Sequence, residues 1–136
     1  MGLKSLEHFF VGARDLEASR RFYVDVLGFT VGPRPPFDFP GYWLYLGESP
    51  CVHLGAAGTF AGAGDASTTP VQAGIGTGPL DHVAFRGEDF EGYRARLDAH
   101  GIRYRQRDVP ASALKQLFVK DLDGVTLEFN FFTGPA

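Results

Sequence analysis

Two stretches of this chain carry the same run of apolar and polar positions. Leu6 to Tyr23 (LEHFFVGARDLEASRRFY) overlies Leu80 to Leu97 (LDHVAFRGEDFEGYRARL) without a gap, at a shift of 74 positions. In each, a short apolar run, LEHFFV or LDHVAF, reads as a strand. Apolar residues then recur at helical spacing, at Leu16, Phe22, Tyr23, Val26 and Leu27 in the first copy and at Phe90, Tyr93 and Leu97 in the second. Asp15 and Asp89 are placed as N-caps, with Glu17 and Glu91 in the first turn, where the helix dipole favours negative charge. One residue then drops out of the second copy, so that Gly28, a C-terminal stop, falls on Gly101.

Three strands complete each copy. In the first they are expected near Phe29 to Gly32, Tyr42 to Leu46 and Cys51 to Leu54. In the second they are expected near Ile102 to Val109, Leu117 to Lys120 and Thr126 to Phe131. LGESP and DLDG make the turns between the last two strands, and the shift there becomes 75, setting Gly41 on Gln116. A repeat of this length fixes the architecture. It gives one domain made of module one (4–57), a Gly-, Ala-, Ser- and Thr-rich connector (58–78) and module two (79–133). The connector's glycines match neither a phosphate loop nor a dinucleotide fingerprint.

Composition narrows the function classes. A length of 136 residues with 44% hydrophobic and 21% charged residues suits one folded domain. A formal net charge of -3 gives no electrostatic reason to expect nucleic acid as a partner. The single cysteine, Cys51, makes no intrachain disulfide, and no apolar stretch approaches the ~18 residues that span a bilayer. Met1 to Phe10 lacks the pattern of a signal peptide, so a cytoplasmic location and no membrane partner are expected.

The repeat also points to chemistry. His8 and His82 hold the same position, the third residue of each first strand as read. His53 and Glu128 likewise match in the last strands, and a pseudo-twofold axis would let all four converge. Imidazole and carboxylate are ligands of divalent metals. Taken singly, a histidine in an apolar strand is more often a hydrogen-bonded core or rim residue than a ligand, and Glu128 could alternate outward to solvent. Their coincidence on repeat-matched positions favours the ligand reading. His100, at the end of a helix, is explained by the helix dipole.

LEHFFVGARDLEASRRFYVDVLGF resembles the opening module of the vicinal-oxygen-chelate superfamily, which includes glyoxalase I, extradiol dioxygenases, fosfomycin-resistance thiol transferases and bleomycin-binding proteins. LDHVAF and QLFVKDLDGVTLEFN resemble its second module, with Leu122 where the family turn has proline. The resemblance implies an α+β fold of two tandem βαβββ modules curled into a cup-shaped mixed sheet (the glyoxalase/bleomycin resistance/dioxygenase fold). It implies His8, His82 and Glu128 as ligands of Fe2+, Mn2+, Ni2+ or Zn2+. His53 stands where glyoxalase I has a second glutamate, and is either a fourth ligand or, as in ring-cleaving dioxygenases, an acid–base group. Catalysis would rest on Glu128 and His53. Phe118 replaces a tyrosine found in the dioxygenases and the thiol transferases.

Trp43 and Phe118 match in the repeat and each lies ten residues before a last-strand candidate. With Phe39, Tyr45 and Gln116 they are candidate substrate-lining residues, core packing being the alternative for the aromatics. Arg103, Arg105 and Arg107 alternate along one strand, as a solvated face or an anion contact. The expected function is a metal-dependent lyase, isomerase or ring-cleaving dioxygenase acting on a small-molecule substrate. The alternative is a metal-free binder of the bleomycin-resistance kind that sequesters an aromatic compound. The family further implies a homodimer.

Overall fold

The computed structural model describes residues 1–58 and 74–133, so most of the connector lies outside the described residues. The fold is α+β, and the chain forms two compact units, Met1–Gly74 and Ile75–Ala136, each with its own four-stranded sheet.

In the first unit the order is β1 (Phe9–Ala13), α1 (Leu16–Arg21), β2 (Thr30–Gly32), β3 (Gly41–Leu46) and β4 (Ser49–Ala56). The second repeats it with β5 (Val83–Arg86), α2 (Phe90–Ala99), β6 (Arg105–Val109), β7 (Leu114–Lys120) and β8 (Thr126–Phe132). Strand orders are β1-β4-β3-β2 and β5-β8-β7-β6, and in both the first strand runs parallel to the last while the other neighbours are antiparallel.

Three identities of the repeat, Asp15/Asp89, Glu17/Glu91 and Arg20/Arg94, serve the helix starts. Asp15 accepts from Ala18 N at 3.0 Å and Asp89 from Gly92 N at 3.1 Å, satisfying N–H groups that a helix leaves unpaired. Arg20 donates to Glu17 at 2.9 Å and Arg94 to Glu91 at 2.7 Å, one turn apart on each helix. The extra residue of the first copy is absorbed by a π-helical turn at Phe22–Val26 that follows α1, where an uninterrupted α-helix is the sequence expectation. A wide turn of this kind is how a helix takes up one inserted residue. Gly28 (φ 94°) and Gly101 (φ 66°) then close both helices in the left-handed region.

Strand alternation gives each sheet two faces. One carries the core: Val11, Leu44, Val52 and Leu54 in the first unit, and Leu117, Val119, Leu127, Phe129 and Phe131 in the second. There α2 packs Tyr93 edge-on against Phe129 and Phe90 edge-on against Phe131. The last turn is built by Asp121, whose Oδ1 accepts from Asp123 N at 2.9 Å and Val125 N at 2.8 Å. Among the described residues no helix is long and apolar enough to cross a membrane.

Candidate functional site

The other face of each sheet carries the candidate chemistry. Phe10 lies opposite His53 across the parallel pair β1–β4, and Ala84 opposite Glu128 across β5–β8. His8 and His82 are not the third residues of their strands, as the sequence suggests. Each immediately precedes its strand, because the parallel ladders begin one step later, at Phe9–Val52 and Val83–Leu127. Their spacing from Phe10 and Ala84 still sets them toward the face of His53 and Glu128.

Both histidines are held by the carboxylate next to them in sequence. His8 Nδ1 donates to Glu7 Oε1 at 2.9 Å and His82 Nδ1 to Asp81 Oδ2 at 2.7 Å. In the neutral ring this fixes the proton on Nδ1 and leaves Nε2 with its lone pair. Sequence reasoning missed Glu7 and Asp81, although they occupy matched positions of the repeat.

In the first unit the candidates form a stack. His53 lies 3.6 Å from His8 and 4.1 Å from Trp43, with interplanar angles of 12° and 14°. Two rings so close to a third cannot share one side of it, so His53 is held between them. Trp43 is its partner across β3–β4. His53 Nε2 donates to the Pro50 carbonyl at 2.9 Å, which leaves the lone pair on Nδ1. Burial, then the neighbouring His8, holds its pKa below the ordinary imidazole value. Phe39 is buried and stacks on Phe37 at 5.5 Å, and Phe37 lies 6.4 Å from Trp43. Tyr45 packs beside Gly32 and donates its hydroxyl to the Pro33 carbonyl at 2.5 Å, so that group is occupied by the fold.

In the second unit the candidates form a polar chain. His82 Nε2 faces Glu128 Oε1 at 3.5 Å, and the Glu128 side chain is 10% exposed rather than turned out to water. Asn130 donates to Glu128 Oε2 at 2.9 Å, Gln116 to Asn130 at 2.9 Å, and Arg107 Nε to Gln116 at 2.6 Å. The hydrogen bond to Asp81 raises the pKa of His82, and the Glu128 charge adds to the effect. Phe118 is the cross-strand partner of Glu128, as Trp43 is of His53. Arg105 and Arg107 flank Phe118 on this same face, while Arg103 precedes the strand.

The copies differ most at one register. Gln116 pairs with Asn130 in the second unit, and the matching pair in the first is Gly41 with Gly55. A Cβ on Gly55 would meet Phe10 at 2.5 Å, and one on Gly41 would meet the Leu54 carbonyl at 2.3 Å. At Gly55 the Phe10 ring fills in the first unit the space that the Asn130 side chain fills in the second.

The donor set fits a divalent metal in its chemistry. Two donors bound to one ion at ~2.0–2.2 Å stand roughly 3.0–3.5 Å apart, and the His82–Glu128 separation of 3.5 Å meets this. A carboxylate behind each imidazole is the usual support of a metal-bound histidine. As stacked, His8 and His53 aim their lone pairs along nearly parallel planes, not at a common point. Among the described residues no three His, Cys, Asp or Glu side chains are grouped as a metal would require.

A family model, Glyoxalase/Bleomycin resistance protein/Dioxygenase superfamily, matches residues 5–129. The chain is 32% identical over 130 residues to Glyoxylase I 4 of Arabidopsis thaliana, covering 93% of this chain and 70% of that protein. Its fold is similar to a lactoylglutathione lyase from Agrobacterium tumefaciens (TM-score 0.71, 19% identity, 96% of each chain). It is similar also to TnmS3, an antibiotic binding protein from Streptomyces (TM-score 0.67, 19% identity, 98% of this chain and 99% of that one). Similar folds thus serve both an enzyme and a binding protein.

Proposed function

The chain belongs to the glyoxalase/bleomycin resistance protein/dioxygenase superfamily, and from that premise we propose a divalent-metal-dependent enzyme acting on a small substrate with two neighbouring oxygens. The observation that carries the reading is the carboxylate-backed histidine repeated in both units, Glu7–His8 and Asp81–His82, with Glu128 facing the second. His8, His82 and Glu128 are the proposed ligands. A bound iron, manganese, nickel or zinc ion would supply Lewis acidity to the substrate oxygens and stabilise negative charge developing on them.

The protein's own groups divide the remaining work. Glu7 and Asp81 hold the imidazoles in the tautomer that leaves Nε2 free. Asn130 fixes one oxygen of Glu128 and so directs the other toward His82. His53 is assigned the acid–base role in preference to a fourth ligand, because its stack with His8 separates their lone pairs while its Nδ1 remains available. A depressed pKa keeps it unprotonated, and able to accept a proton, near neutral pH. Trp43 and Phe37, with the buried Phe39 packed behind Phe37, offer apolar ring surface to a planar substrate. The reaction class is lyase, isomerase or ring-cleaving dioxygenase.

Elemental analysis of the purified protein tests the reading. Near-stoichiometric metal that disappears in a His82→Ala, Glu128→Ala variant is the expected result. No metal, even after incubation with these ions, would move the assignment to the second reading, a metal-free binder of an aromatic compound. The ring cluster around Trp43 and Phe39 favours that alternative. The proposal includes a homodimer. A monomer by light scattering that keeps full metal binding would remove that part.

A further inference from the structure

The ladder register places two cations on the sheet face that carries Glu128, two strands away from it. Arg105 is the cross-strand partner of Phe118, and Arg107 of Gln116. Phe118 is in turn the partner of Glu128, and Gln116 of Asn130. All six therefore lie on one face of the second sheet, opposite the core.

Among the described residues neither arginine is paired with an acid. The Arg105 guanidinium lies 4.3 Å from the centre of the Phe118 ring, and that of Arg107 lies 5.5 Å from the same ring. Arg107 gives its Nε to Gln116, a buried amide itself tied to Asn130. That bond orients the guanidinium and leaves its terminal N–H groups for another partner. Among the described residues no Asp or Glu forms an ion pair with Arg105 or Arg107, whereas Arg20 and Arg94 have theirs. Both arginines are exposed. A merely solvated face would not require an amide relay buried beneath it.

We propose that Arg105 and Arg107 form an anion-recognising clamp and that the substrate carries a carboxylate bound there, with its planar part near Phe118. Two guanidiniums offer paired, parallel N–H groups, the geometry that a planar carboxylate accepts bidentately. Gln116 is a positioning residue acting through Arg107. The inference rests on the reading of this face as the substrate site, but not on a bound metal.

The test uses the full chain after chelator treatment, with benzoate as probe and benzamide as its neutral isostere. Binding is followed through the arginine Nε–Hε signals in NMR spectra. Benzoate is expected to shift the Arg105 and Arg107 signals saturably, and benzamide to leave them in place. Arg105→Gln and Arg107→Gln should each weaken benzoate binding about 10- to 100-fold, the worth of a hydrogen bond to a charged group. Gln116→Leu should weaken it less and broaden the Arg107 signal. Equal binding of benzoate and benzamide, or unchanged affinity in both arginine variants, would overturn the proposal. Inorganic phosphate binding more tightly than benzoate would overturn the carboxylate assignment. The same titration on His82→Ala protein separates the two readings, since benzoate recognition there should survive even if no metal is ever bound.

Discussion

The imidazole of His53 lies 4.1 Å from the indole of Trp43, its cross-strand partner, in a nearly parallel stack. Phe118 faces Glu128 at the matching place of the second sheet. Each last-strand candidate thus has an aromatic neighbour fixed by ladder register, which makes side-chain orientation a property of the backbone pairing.

The carboxylates behind the histidines should govern metal affinity without governing stability. Glu7→Gln and Asp81→Asn are each expected to lower affinity for zinc or manganese about 10- to 100-fold. Glu7 and Asp81 are largely exposed, at 81% and 89%, so thermal unfolding should barely move. Competition with a chromophoric chelator, alongside calorimetric melting, checks both halves.

Asp121→Ala should destabilise the protein without touching a candidate ligand. It leaves the N–H groups of Asp123 and Val125 without their acceptor, at about 1–3 kcal/mol for each buried group. Urea denaturation should show the loss, and Asp121→Asn, which keeps an acceptor oxygen, should recover part of it.

Tyr93 gives an alkaline signature. Burial pushes its pKa up to about 12, against an unperturbed value near ~10. The folded state holds this proton more tightly than the unfolded state. Its stabilising contribution is therefore present below pH ~10 and falls by about 2–3 kcal/mol as the pH rises toward 12. Denaturation midpoints measured across that window should fall less steeply in Tyr93→Phe. A phenolate titration of the five tyrosines should lose a late component in the same variant.

Leu117→Ala tests the core under the second site face. Leu117 is fully buried, and the cavity left by such a truncation costs about 2–5 kcal/mol. Because Leu117 lies between Gln116 and Phe118, the variant should also loosen the polar chain, seen as a broadened Arg107 Nε–Hε signal. A variant as stable as the parent would show that the sheet collapses around the gap.

Much of the architecture is legible in the sequence because the repeat is carried by local chemistry. Asp15 and Asp89 cap helices, and Gly28 and Gly101 end them, whatever else the chain does. The pairs His8/His82 and His53/Glu128 follow from the same repeat, at shifts of 74 and 75. What escaped depends on register and rotamer. Glu7 and Asp81 looked like ordinary polar neighbours of a strand residue until the histidines proved to lie just outside the ladder. Arg105 and Arg107 read as a charged face, and only pairing with Phe118 and Gln116 sets them in the rows that end at Glu128 and Asn130. The π-helical turn had a visible cause, the one residue that drops out of the second copy. Its form depends on how α1 packs, which hydrophobic spacing does not encode.

The parallel pairing of first and last strands has a consequence for how the protein is made. His8 finds His53 only after β4 has been added beside β1, and His82 finds Glu128 only after β8 has joined β5. These contacts are distant in sequence, and such pairings form late because the intervening chain must first be closed into a loop. Completion of each candidate pair is thereby tied to the closing step of its own module. A nascent chain halted before β8 holds no assembled His82–Glu128 pair.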